Sequence, residues 1–82
     1  MSVAKDCQAL SAEVIRLLRV ERERRGISKY TLAERSGLAQ QTIGYVEREL
    51  RKPAFETVLR MAHGLEVDLE DVIRRARESD PR

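Results

Sequence analysis

Apolar residues recur at spacings of three and four from the start of the chain. Val3, Cys7, Leu10, Val14, Leu17 and Leu18 form one stripe, and the charged run Glu21 to Arg25 precedes Gly26. This periodicity predicts an amphipathic first helix stopped by glycine. Ser2 and Ser11 could each cap its N-terminus, and nothing between them breaks the pattern. Cys7, lying on the stripe, reads as a small buried hydrophobe. Ser28 opens a two-turn second helix through Arg35, which Gly37 terminates. A third helix runs from about Gln40 to Arg48, with Pro53 marking the loop that follows. A fourth spans roughly Phe55 to His63 and stops at Gly64, with Phe55 and Met61 read as core. Asp68 and Asp71 form an acidic capping box for a fifth helix over Leu69, Val72, Ile73 and Ala76, and Ser79 to Arg82 reads as a frayed tail. With no strand-like alternation or internal repeat, the expected architecture is all-α: a compact bundle of five short helices forming a single domain over residues 1–82.

The third helix carries the most informative face. At 100° per residue, Ile43, Val46, Glu47 and Leu50 fall on one side, and Gln40, Gln41, Gly44, Tyr45 and Arg48 fall on the other. A merely solvated face would be filled with Glu and Lys, whereas this one presents two amides, a phenol, a glycine and a guanidinium. Glutamine can bond adenine bidentately at N6 and N7, and an α-helix fits the major groove. Gly44 would let a partner approach the backbone closely, at a helix-propensity cost of about 1 kcal/mol. Tyr30 could contact a phosphate or cap a satellite cluster, and packing is the favoured role.

The stretch Ser28-Lys-Tyr-Thr-Leu32-Ala33-Glu-Arg-Ser-Gly37-Leu38-Ala-Gln-Gln-Thr-Ile43-Gly-Tyr-Val46-Glu47 resembles the helix-turn-helix of the Cro/phage-repressor-type (XRE, lambda-repressor-like) regulators. Small Ala33 at a helix crossing, Gly37 able to turn left-handed, and Ile43 and Val46 packing back fit one geometry together. The resemblance covers roughly residues 10–73, including Arg22 to Ile27 and Pro53 to Ile73. It implies helix-turn-helix geometry at helices two and three. Gln40, Gln41, Thr42, Gly44 and Tyr45 then lie where the family contacts base edges and adjoining phosphates. It likewise implies phosphate contacts by Ser28, Lys29, Arg48, Arg51 and Lys52. Glu47, on the buried side of its helix, needs a partner, and Arg22 is the residue the family pairs with it. The chain departs from the pattern at Ala39 and Ala54, which stand at usual capping positions, at Glu49, which occupies a common glycine position, and at Lys29, where glutamine is common.

Charge sharpens this picture. The whole chain carries only +2, with 41% hydrophobic and 37% charged residues. Residues 16–52 nevertheless hold ten basic and five acidic side chains, net +5, against −1 for residues 1–15 and −2 for residues 53–82. The positive excess therefore coincides with the segment that holds the helix-turn-helix, as a polyanion-binding face requires. One cysteine, one histidine and the absence of a nucleophile–base set argue against metal binding, cofactors and catalysis, and His63 reads as a surface residue at a helix C-terminus. No membrane span, secretory signal or small-molecule substrate site is evident, so a cytoplasmic location is expected.

The expected function is sequence-specific binding of double-stranded DNA by a transcriptional regulator, a repressor or autoregulator, that reads the major groove with the third helix. One helix reads few base pairs, so a homodimer on two half-sites is expected, with Leu69, Val72, Ile73 and Ala76 as candidate interface residues. RNA polymerase or a toxin are possible further partners. The competing expectation is a protein-interaction module of the same fold, such as an antitoxin-like partner binder.

Overall fold

The computed structural model describes residues 2–79, which form α1 (Val3–Arg24), α2 (Lys29–Ser36), α3 (Gln40–Glu47), α4 (Phe55–Gly64) and α5 (Leu69–Glu78), with no strand among them. The principal extents are 39 × 22 × 18 Å. α1 packs mainly on α5 and α2 on α4, and α3 closes the remaining side against α1 and α2. Leu18, Leu32, Ile43, Met61, Leu65 and Val72, drawn from every helix and from the α4–α5 turn, meet in one fully buried centre. No helix among the described residues is long and apolar enough to cross a membrane.

Of the two serines, Ser2 caps α1: its Oγ accepts a hydrogen bond from the Lys5 N–H at 3.4 Å. The 22-residue helix is thus longer than the core it serves. Its stripe enters the core fully at Val14, Ile15 and Leu18 and only partly at Leu10, while Val3 and Cys7 are exposed. The expectation of a buried Cys7 is therefore corrected, because no other helix extends far enough to cover the first two turns.

Three helices end alike. The N–H of Ile27 reaches the carbonyl of Arg22 and that of Gly26 reaches Glu23, the doubled Schellman pattern with Gly26 at φ 69°. α3 repeats it through Leu50 to Tyr45 and Glu49 to Val46, and α4 through Val67 to Ala62 and Glu66 to His63. In these two the left-handed residue is glutamate, Glu49 at φ 59° and Glu66 at φ 58°. The expected stop at Gly64 is thereby corrected: α4 continues through Gly64. A Cβ there would sit 2.8 Å from Leu32 Cδ1 and 3.3 Å from the Ser36 backbone nitrogen, so the glycine lets α2 and α4 cross closely.

Other expectations are also revised. α3 ends at Glu47, and Leu50 lies outside it, exposed, so it does not share the buried side of that helix. Phe55, the first residue of α4, is exposed and is no core residue. Tyr30 is exposed and packs against nothing in the core. Asp68 caps α5 through its backbone carbonyl, which accepts from Asp71 and Val72, while its side chain makes no capping bond, so the capping box is absent. Leu69, Val72 and Ala76 are buried against the chain's own core and Ile73 is half-buried. The tail beyond residue 79, expected to fray, lies outside the described residues. Ser79, counted with that tail, is the C-cap of α5 and donates its hydroxyl to Glu13 Oε2 and the Ala76 carbonyl at 3.0 Å each.

Candidate nucleic-acid interface

The site is built on the turn between α2 and α3. Ser28 caps α2, accepting from the Thr31 N–H at 3.0 Å while its hydroxyl donates to Thr31 Oγ1. With the Ser28 oxygen so engaged, the open anion-binding groups at this helix end are the first backbone N–H groups of α2, with the Lys29 ammonium beside them. Gly37, at φ 72°, turns the chain toward α3, and the Leu38 N–H rests on Ser36 Oγ at 3.3 Å. A Cβ at Gly37 would approach Arg60 Nη1 to 2.9 Å, and that guanidinium also reaches the Ser36 carbonyl, so α4 holds the turn from behind.

α3 is oriented by a buried ion pair. Arg22 of α1 donates Nε to Glu47 Oε2 at 2.7 Å and Nη2 to Glu47 Oε1 at 2.8 Å, a bidentate contact. Its remaining Nη1 donates to the Ile27 carbonyl at 2.9 Å. The side chains retain only 10% and 3% of their exposure, and the bond to Glu47 makes the Arg22 guanidinium hold its proton more tightly than usual. One arginine thus fixes α1, the turn leading into α2 and the last residue of α3 relative to one another.

On the outer side of α3, Gln40 and Gln41 are exposed at its N-terminus and Thr42 is half-buried. No side chain caps this end at Ala39, so its first N–H groups remain free for a partner. Gln41 Nε2 donates to the Tyr45 hydroxyl at 2.6 Å. The Tyr45 ring carries two guanidinium groups, Arg51 at 4.5 Å from its centroid and Arg48 at 5.8 Å. Arg48 also donates Nε to the Gly44 carbonyl at 3.1 Å. Gly44 differs from expectation in being covered, with a Cβ position 3.7 Å from Arg48 Nη2 and 3.9 Å from Lys29 Nζ. Both covering atoms are the ends of long flexible side chains, so the cover can swing aside.

The fold therefore gathers Lys29, Arg48 and Arg51 around Gly44 and Tyr45, although these residues span 23 positions of sequence. Among the described residues none of Lys29, Arg48, Arg51 and Lys52 pairs with a carboxylate, whereas Arg16, Arg22, Arg24, Arg25, Arg60 and Arg74 each do. The outer side of α3 is left with uncompensated positive charge. Sequence reasoning missed Lys5, which lines the same groove as Arg51 and Lys52 between α1 and the loop after α3. Only the length of α1 could have indicated it.

A short capped helix, a left-handed glycine turn and a second helix whose outer face is polar and cationic define a helix-turn-helix domain. The chain belongs to the Cro/phage-repressor-type helix-turn-helix family, whose profile, described as helix-turn-helix, matches residues 18–72. It is similar to two uncharacterised HTH-type transcriptional regulators of Mycobacterium tuberculosis, from strains CDC 1551 and H37Rv. It is 38% identical to each over 64 residues, which is 78% of this chain and 46% of each relative. The chain thus spans about half the length of the curated relatives it matches. No solved structure matches it significantly.

Proposed function

We propose that this chain is the DNA-binding unit of a transcriptional regulator, reading the major groove of double-stranded DNA with α3 and acting as a repressor or autoregulator without a chemical step. The observation that carries this reading is the convergence of Lys29, Arg48 and Arg51, none of them neutralised by a carboxylate, on the exposed polar face of α3. Gln40, Gln41, Thr42 and Tyr45 supply base-edge and groove contacts, and Gly44 supplies close approach once Arg48 and Lys29 move onto phosphates. Ser28, through its helix N-terminus, joins Lys29, Arg48, Arg51 and Lys52 in the phosphate contacts. Affinity on this reading comes mainly from phosphate neutralisation and selectivity from a few base contacts, with two copies bound to two half-sites. The homologues' description as transcriptional regulators supports it.

The test is a fluorescence-anisotropy titration with duplex DNA from just upstream of the gene and with a scrambled duplex, at about 50 and 200 mM salt, across which phosphate-driven binding falls steeply. Selective binding that survives the higher salt is expected. Equal binding to both duplexes that vanishes with salt would leave only electrostatic attraction. No binding at either salt would shift the assignment to a protein-interaction module, with a toxin or RNA polymerase as the class of partner.

A further inference from the structure

The first two turns of α1 take no part in the core. From Val3 to Ala9 every residue is exposed except Asp6, which is half-buried. These turns are nevertheless helical, capped by Ser2, and they pass alongside the loop that follows α3. A groove lies between the two, with Lys5 and Gln8 on the helix side and Arg51 and Lys52 on the loop side. Lys5, Gln8, Ala12 and Ile15 recur at spacings of three and four, so a single face of α1 runs along the groove. Ala9 and Ala12, with one methyl each, fill little of it. Three cations line the groove against one carboxylate, Glu49. Among the described residues no carboxylate pairs with Lys5, just as none pairs with Arg51 or Lys52.

We infer that this groove takes a stretch of the sugar–phosphate backbone of the bound duplex, with Lys5 as a phosphate contact supplied by the N-terminal turns of α1. The inference rests on the DNA-binding reading above and extends the site beyond the helix-turn-helix. Arg51 ties the groove to that site. Its guanidinium lies 4.5 Å from the centroid of the Tyr45 ring on the outer side of α3, and the same residue lines the groove across from Lys5. Unpaired cations therefore run from Lys29 and Arg48, over Gly44, through Arg51 and Lys52 to Lys5. The occupant is anionic, because the groove's cations outnumber its carboxylate and have no partner within the described chain. It is the duplex already met by α3, because Arg51 belongs to both surfaces and a strand held there has the α1 wall beside it. The extension of α1 then has a physical role. A helix presents Lys5 already ordered, whereas a loose tail of the same sequence would lose backbone entropy on binding. A contact of this kind adds affinity and fixes the orientation of the protein on the duplex, and it carries no base information.

The experiment is a salt titration of the full chain on the upstream and scrambled duplexes, with Lys5→Ala and Lys5→Arg beside the wild type. Lys5 is exposed, so both variants should keep the wild-type circular dichroism. Lys5→Ala should weaken both duplexes alike and reduce the slope of log affinity against log salt by about 1. Between about 50 and 200 mM salt it should then lose about threefold less affinity than the wild type does. Lys5→Arg should restore the wild-type slope, which a purely structural role for this helix would not require. A second readout needs no substitution. Cys7, the single thiol of the chain, is exposed and lines the same groove, so its alkylation by iodoacetamide should slow as duplex is added, in step with the anisotropy. Bound DNA with an unaltered slope in Lys5→Ala would overturn the inference and leave the DNA-binding reading standing, and so would Cys7 alkylated at the free rate in a saturated chain. Cys7 protected by DNA while the Lys5→Ala slope is unaltered would put something other than a phosphate on this wall, which equally overturns it. A wild-type chain that binds neither duplex would remove the DNA-binding reading and the inference together.

Discussion

At the scale of single residues, the two positions with the clearest consequences are Arg22 and Gly44. Arg22→Ala leaves the Glu47 carboxylate buried without its bidentate partner and frees the Ile27 carbonyl. Removing one member of such a pair costs about 3–5 kcal/mol, a large share of the roughly 5–15 kcal/mol that holds a domain together. Urea unfolding should show that loss, and exchanging both Arg22 and Glu47 for apolar residues of similar volume should recover most of it, since the remaining charge is then no longer stranded. Gly44→Ala separates folding from function. The added methyl meets only the mobile ends of Arg48 and Lys29 at 3.7 and 3.9 Å, and alanine raises helix propensity by about 1 kcal/mol. The variant should melt at a higher temperature than the wild type. If α3 enters the groove, it should also bind the upstream duplex more weakly, because the methyl stands between the helix backbone and DNA. Unchanged affinity in a stabilised variant would show that Gly44 is not at a close approach.

At the scale of elements, the helices themselves were legible in the sequence because 3.6-residue periodicity, Ser28, Gly26 and Gly37 are local signals that local physics obeys. The turn and the exposed Gln40 and Gln41 were legible for the same reason. Two kinds of feature were not. Periodicity identifies the apolar face of a helix without saying whether another element exists to cover it, so Cys7 and Phe55 were assigned to a core that does not reach them. The ends of α3 and α4 were obscured because glutamate is no marker of left-handed backbone. Tertiary packing holds Glu49 and Glu66 there against a conformational penalty of about 1–2 kcal/mol. Glu49→Gly removes that strain at the expense of a floppier unfolded chain, for a net gain of up to about 1 kcal/mol. It also deletes an anion next to Arg51 and Lys52. The variant should therefore melt higher and bind DNA more tightly at low salt, the reverse of the trade-off at Gly44.

Two carboxylates of α1 give the fold a pH dependence. The hydrogen bond from Arg16, helped by the Ser79 hydroxyl, draws the Glu13 carboxyl down from 4.5 to about 2, and Arg24 followed by Arg25 lowers Glu21. Carboxyls that ionise more readily in the folded chain stabilise it above their unfolded pKa and cease to do so as pH falls through the folded value. Thermal melts should be flat above about pH 5 and fall progressively toward pH 2, and Glu13→Gln should lie lower at neutral pH with a shallower acid limb.

At the scale of the whole molecule, function is a matter of where charge is left unpaired. The net +2 of the chain is too small to drive DNA binding. What the fold does is pair Arg16, Arg22, Arg24, Arg25, Arg60 and Arg74 with neighbouring carboxylates, and leave Lys29, Arg48, Arg51 and Lys52 unpaired together beside α3. That segregation predicts two separable effects. Arg51→Ala removes the unpaired cation over Tyr45; if that cation meets a phosphate, the variant should weaken upstream and scrambled duplexes alike and reduce the slope of log affinity against log salt by about 1. Gln40→Ala removes an exposed amide without changing charge, so it should leave that slope unaltered while costing about 1–3 kcal/mol of discrimination between the duplexes. A change of slope in the glutamine variant, or of discrimination in the arginine variant, would mean that the residues do not divide reading from attraction in this way. The groove would then be entered from another edge, with Arg51 nearer the bases and Gln40 nearer the backbone.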